Sequence, residues 1–150
     1  AMLGGLWRMN AKYNVVPLAT FTDPEVARVG LNEEEANTRS ISYEVTRYDM
    51  DNLDRALTDG EAHGFVKVLT VPGKDKILGV TIVGHHAGEL IGEFVFAMTL
   101  GLGIKKISAV THVYPTLLEA NKLTANAWRK ARLPEKYFPW IEKYFRWQRE

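Results

Sequence analysis

One short stretch carries the residue types that could do proton chemistry: Thr111-His112-Val113-Tyr114-Pro115-Thr116-Leu117-Leu118-Glu119. A histidine, with a pKa of about 6.5, takes and gives a proton near neutral pH. A tyrosine, at about 10, stays protonated there and works by hydrogen bonding. Proline fixes its own φ and pushes the residue before it into an extended conformation. Tyr114 is therefore expected to stay out of the helical pattern that enters at Pro115, presented at its mouth. Thr116 followed by Glu119 has the spacing of a capping box. A well-made helix start accounts for that spacing by itself. The sharper expectation is that the stretch delivers a tyrosine and a carboxylate to a site.

The segment from His112 to Glu119 resembles the His-x-His-Pro-Thr-x-x-Glu signature of the flavin-dependent pyridine nucleotide-disulfide oxidoreductases. That group includes dihydrolipoamide dehydrogenase, glutathione reductase and mercuric reductase. The resemblance implies that the residue before the proline reaches across a dimer to the partner's flavin and redox-active cysteines, with the glutamate orienting it. Tyr114 occupies that position here, as in mercuric-reductase-like members, and Glu119 matches the orienting glutamate. His112 matches the first histidine. The catalytic candidates are thus Tyr114, Glu119 and His112, with Tyr114 and Pro115 as the flavin contact; the Tyr114–Pro115 bond is expected to be cis. A second match is Pro17-Leu18-Ala19-Thr20-Phe21-Thr22-Asp23-Pro24-Glu25-Val26-Ala27-Arg28-Val29-Gly30, similar to the segment that opens the family's dimerisation domain. Asp54-Arg55-Ala56 and Ala87-Gly88-Glu89-Leu90-Ile91 are further family-like features in the same order.

Composition limits the alternatives. The chain has 150 residues, 46% of them hydrophobic, enough for one domain with a sizeable core. A net charge of +1 gives no field that points to nucleic acid. The absence of cysteine excludes a disulfide, a thiolate zinc site and a cysteine nucleophile within this sequence. No apolar run reaches the roughly 18 residues of a membrane span, and the start does not read as a signal peptide, so a cytoplasmic location is expected. Nor is there a Gly-x-Gly-x-x-Gly turn; Gly101-Leu102-Gly103 lacks the third glycine. With neither phosphate-cradling turns nor a cysteine pair, the resemblance implies the C-terminal portion of a larger flavoprotein. FAD and NAD(P)H belong to N-terminal domains absent here, and none is expected bound to this fragment.

The elements that must position these residues are legible in order. Residues 1–16 read as an approach segment and 17–132 as the dimerisation domain. Two short strands with a turn at Asp23-Pro24 come first. Asn32 caps a short helix running to about Arg39, with Glu33, Glu34 and Glu35 in its first turn. Tyr43 to Asp49 reads as a strand. Gly64 to Val71 and Ile77 to Gly84 form a hairpin, the latter nearly all apolar and so central in its sheet. Ala87, Leu90, Ile91, Phe94, Val95 and Met98 repeat at helical spacing up to Gly101. Gly88 and Gly92 on one face suggest a close backbone approach, to the sheet or to a partner helix. His85, His86, Glu89 and Glu93 invite a metal reading, but no His-Glu-x-x-His pattern exists, so capping and surface roles are preferred and no metal is expected. Leu117, Leu118, Ala120, Leu123, Ala127, Trp128 and Ala131 give the last helix an apolar face.

The tail, 133–150, is aromatic and basic. Glu135, Glu142 and Glu150 dilute its positive face, so packing on a partner subunit or on the missing domains is preferred to a membrane surface. The expected fold is α+β: an antiparallel sheet of about four or five strands with helices packed against it. The expected function is the dimerisation domain of a flavin-dependent NAD(P)H:disulfide-type oxidoreductase, a homodimer completing the partner's active site. A stand-alone interaction or assembly module is the rival class.

Overall fold

The computed structural model describes residues 15–133 and residue 146. Most of the approach segment, 1–16, and nearly all of the tail, 133–150, lie outside the described residues. The elements are β1 (Leu18–Thr20), β2 (Glu25–Gly30), α1 (Glu33–Thr38), β3 (Glu44–Asp49), α2 (Asp54–Asp59), β4 (Phe65–Thr70), β5 (Ile77–Gly84), α3 (Ala87–Thr99), α4 (Ile104–Ala109) and α5 (Glu119–Lys130). A single turn of 3-10 helix, Met50–Asn52, leads into α2. The strands form one antiparallel sheet in the order β1-β2-β5-β4-β3. The α+β class is therefore as the sequence implies, and the apolar strand β5 is its central strand.

Alternation along the strands fixes which face is covered. Ala27 and Val29 pair with Ile82 and Val80, and these pair in turn with Val66 and Val68. All six are buried on one face. Helix α3 packs on β2 and β5, and α5 packs on β3 and β4, so the two helices share that face. Leu90, Ile91 and Phe94 complete the core from α3 and Trp128 from α5. Trp128 also donates its indole N–H to Thr70 Oγ1 at 3.2 Å, which satisfies the one polar atom of a buried ring. The other face carries Arg28, Thr81 and Lys67 in register. Helix α1 lies over it: Arg28 pairs with Glu35 and Lys67 with Glu33. Gly79 permits this layer, because a Cβ there would run into the backbone of Leu31.

Three expectations need correction. The last helix does not begin at Pro115. Its first hydrogen bonds, Glu119 N–H to Thr116 O, Ala120 N–H to Leu117 O and Asn121 N–H to Leu118 O, span three residues, and regular α-helix starts only at Glu119. The buried face of that helix is also rotated from the apolar pattern. Ala120, Asn121, Thr124, Ala125 and Trp128 are buried, whereas Leu118 is exposed and Leu117, Leu123 and Ala127 are only half-buried. Two polar residues went inward because each found a bond: Thr124 donates to Ala120 O, and Asn121 donates to Leu90 O and to Glu93. Gly92 makes no close approach among the described residues: a Cβ there would meet nothing within 4 Å, and at Gly88 it would make ordinary contacts with Glu25, Phe21 and Ala19. At Gly88 the neighbours include strand residues, Ala19 of β1 and Glu25 of β2, and Glu25 accepts from the Gly88 N–H at 2.9 Å, so this glycine does meet the sheet. Helix α4 had no counterpart in the sequence reading, its six residues being too short to show a helical period.

Candidate functional site

The segment from Val110 to Leu118 is extended or turn backbone between α4 and α5, and it is tied down at several points. At its start the side chain of His112 is only 2% exposed. Its Nδ1 lies 3.1 Å from Val110 O, which can only accept, so Nδ1–H donates there. Its Nε2 lies 3.0 Å from Glu93 Oε1, and the other oxygen of Glu93 accepts from Asn121 Nδ2 at 3.0 Å. His112, Glu93 and Asn121 thus join the loop to α3 and α5. At the far end, Thr116 Oγ1 donates back to Val113 O at 2.7 Å and Glu119 Oε2 accepts from Thr116 N–H at 3.2 Å.

Between these braces stand Tyr114 and Pro115, joined by a cis peptide bond. Tyr114 is 67% exposed and Pro115 is exposed as well. The phenol is not free to swing, however. It donates to Asp54 Oδ2 at 2.6 Å, a short bond to a charged acceptor. This bond holds the proton on the phenol and raises its pKa above the ordinary 10, with the nearby charge of Glu119 adding in the same direction. Tyr48, half-buried on β3, is also raised, first by burial and then by Asp51, Asp54 and Glu119. The site is therefore two protonated phenols among three carboxylates. A cleft of about 590 Å³ lies beside it, lined by Arg55, Asp59, His85, His86, Glu89, Thr116 and Leu117.

The candidates read from the sequence thus take separate places. Tyr114 and Pro115 are at the surface. Glu119 is near but is engaged by the Thr116 N–H rather than by the phenol. His112 is buried and acts as a brace. Glu93, grouped by sequence with His85, His86 and Glu89, faces His112 and Asn121 instead. Among the described residues no group of three or more His, Cys, Asp or Glu is placed to hold a metal. Tyr48 and Asp54 were not among the site residues read from the sequence, although Asp54 opens the family-like Asp54-Arg55-Ala56. Asp54 is 60 positions from Tyr114, and only the pairing of β3 with β4 and the packing of α5 on β3 bring them together.

Known proteins resemble this chain in both sequence and fold. Residues 16–125 match the dimerisation domain of pyridine nucleotide-disulphide oxidoreductases. The mitochondrial dihydrolipoyl dehydrogenase of Dictyostelium discoideum is 41% identical over 116 residues, 77% of this chain and 24% of that protein. The pig enzyme of the same name is 39% identical over 119 residues, 79% of this chain and 23% of that protein. This chain therefore spans about a quarter of the length of the curated relatives it matches. Among solved structures, LpdA from Mycobacterium tuberculosis superposes with a TM-score of 0.73 at 24% identity, over 79% of this chain and 26% of that one. The copper(II) complex of the HOCl-induced flavoprotein disulfide reductase RclA from Escherichia coli gives 0.70 at 21% identity, over 75% and 26%.

Proposed function

This chain belongs to the pyridine nucleotide-disulphide oxidoreductase family, as its dimerisation domain, and from that premise we propose that it pairs two copies of a longer flavoprotein and closes the partner's active site with Tyr114. The observation that carries this reading is the Tyr114–Pro115 edge, braced on both sides yet left exposed among the described residues. Large apolar side chains that lie open elsewhere, Phe21, Phe96 and Val113 among them, support a homodimer.

The residues present fit an edge contact with a flavin held by another domain: an exposed phenol beside an exposed proline ring. When bound in the longer protein, FAD would pass electrons from a nicotinamide cofactor to a redox-active pair of cysteines. What this chain supplies is position and hydrogen bonding. A phenol whose proton is held at neutral pH is a poor base, so Tyr114 does not shuttle protons as a histidine would. The tyrosine at position 114, where the family signature has histidine, is what supports placing the chain near the mercuric-reductase-like branch; the relatives described above are named dihydrolipoyl dehydrogenases.

The test is Tyr114→Phe in the longer protein. Turnover of the electron acceptor should fall, while stopped-flow reduction of the flavin by NAD(P)H should stay nearly unchanged, because the phenol serves the acceptor side alone. If both half-reactions are untouched, Tyr114 is only packing and the proposed role is removed.

A further inference from the structure

We infer that Asp54 is the positioning residue of Tyr114, in the place that the family resemblance implies for Glu119, and that the pair presents the phenolic oxygen as a hydrogen-bond acceptor. The geometry separates the two carboxylates. Asp54 Oδ2 receives the phenolic proton at 2.6 Å. Glu119, with one oxygen taken by the Thr116 N–H, makes no hydrogen bond to the phenol.

Asp54 is well suited to hold a surface side chain still. It is the first residue of α2, and its neighbours Leu53 and Ala56 are buried at 2% and 0% exposure. Gly60 closes the helix two residues after a further anchor, the Thr58 hydroxyl bound to the Asp54 carbonyl at 2.8 Å. The carboxylate stands on a fixed backbone while remaining exposed itself. One end of the tyrosine is thus set by the Val113–Thr116 turn and the other by α2.

A chemical consequence follows from which partner holds the proton. A phenol has one hydrogen. Committed to Asp54, that hydrogen is not available to a ligand, and the outward lone pairs of the oxygen are. A charged acceptor behind the O–H polarises it and makes the oxygen a better acceptor in turn. The pair therefore suits a ligand group that brings its own hydrogen: a neutral thiol, a hydroxyl or an amide N–H. A thiolate suits it poorly, since it would face an oxygen lone pair with Asp54 and Glu119 behind it. This choice of ligand chemistry rests on the proposed function; the pairing of Asp54 with Tyr114 does not.

The pairing and the proposed function are tested separately. Tyrosinate absorbance is followed against alkaline pH in the full chain, and subtracting the Tyr114→Phe titration isolates the Tyr114 step. The charged groups that act on the phenol are Asp54 from α2 and Glu119 from the start of α5. In the native chain the step should lie above the ordinary value of about 10. Asp54→Asn should bring it down toward that value, and Glu119→Gln should move it less. Asp54→Ala repeats the measurement with no hydrogen-bonding group at all, and circular dichroism shows whether each variant keeps the native fold. A step unmoved by either Asp54 substitution, or moved more by Glu119→Gln, overturns the pairing. If the pairing holds but Tyr114→Phe leaves turnover of the longer protein unchanged, it is the proposed function that has failed.

Discussion

Two helix starts in this chain carry the same three-residue spacing, and the fold uses them differently. At α1, Asn32 Oδ1 accepts from Glu35 N–H at 2.7 Å and Glu35 Oε2 accepts from Asn32 N–H at 3.2 Å, so both halves of the capping box form. At α5 only one half forms. Glu119 accepts from Thr116 N–H, but the threonine hydroxyl turns away and donates to Val113 O. The first motif starts a helix. The second folds a turn back on itself and leaves Tyr114 at its outer edge. A local motif fixes which groups can bond, and the surrounding chain decides which of them do.

The strongest way to break the second region is to remove its buried brace. His112→Leu keeps an apolar bulk but strips Val110 O and Glu93 of their partner, and Glu93 has a side chain only 19% exposed. Leaving such groups unsatisfied costs about 1–3 kcal/mol each. The melting temperature should fall by several degrees, and the loop around Tyr114 should lose its protection against hydrogen exchange. Unchanged stability would mean that the loop is held without His112, by the Thr116–Glu119 bond, the Thr116 hydroxyl and the Tyr114–Asp54 bond.

Next in size is the contrast between the two caps themselves. Asn32→Ala removes a side-chain acceptor from a helix N-terminus and should cost about 1 kcal/mol. Thr116→Val removes one hydroxyl that caps nothing in α5 and should cost about 0.5 kcal/mol, the low end for a neutral hydrogen bond. Equal losses in urea unfolding would show that the Thr116 hydroxyl does as much for its turn as a true cap does for a helix.

The same two regions show how far the sequence could be read. Strands β1 to β5, the Asn32 cap and the central place of β5 followed from alternation, turn residues and apolar runs, all of which are local. Tyr114 was legible as held out of the helix because proline constrains its neighbour wherever the chain goes, although that helix starts at Glu119 and not at Pro115. The rest depended on contacts distant in sequence. Asn121 and Thr124 lie outside the apolar pattern of the last helix, yet they are buried because Leu90, Glu93 and Ala120 offer acceptors. Asp54 carries no sign of its partner, since nothing local distinguishes an aspartate at a helix start from one that holds a phenol across the fold.

The smallest expected effect is the pH dependence that Glu35 gives to stability. Glu35 accepts from Asn32 N–H and from Arg28 Nη2 at 2.7 Å. The Arg28 hydrogen bond, followed by the Asn32 backbone bond, holds its carboxyl below the usual 4.5. A carboxyl with a lowered folded-state pKa stabilises the fold fully above the unfolded value, and that contribution is lost as the pH falls through the folded value. Glu35→Gln should therefore melt below the native chain at neutral pH, with the gap closing as the solution is acidified below about 4.5. The gap stays small because the pair is about one-third exposed and screened by solvent. Glu119 has no ion pair among the described residues, and a glutamine there keeps an oxygen for the Thr116 N–H. Glu119→Gln should consequently leave stability at neutral pH nearly unchanged. Melting curves of the native chain and of Glu35→Gln against pH decide the matter at α1. A gap at position 35 that persists into acid would mean that the charge of Glu35 is not what its cap depends on.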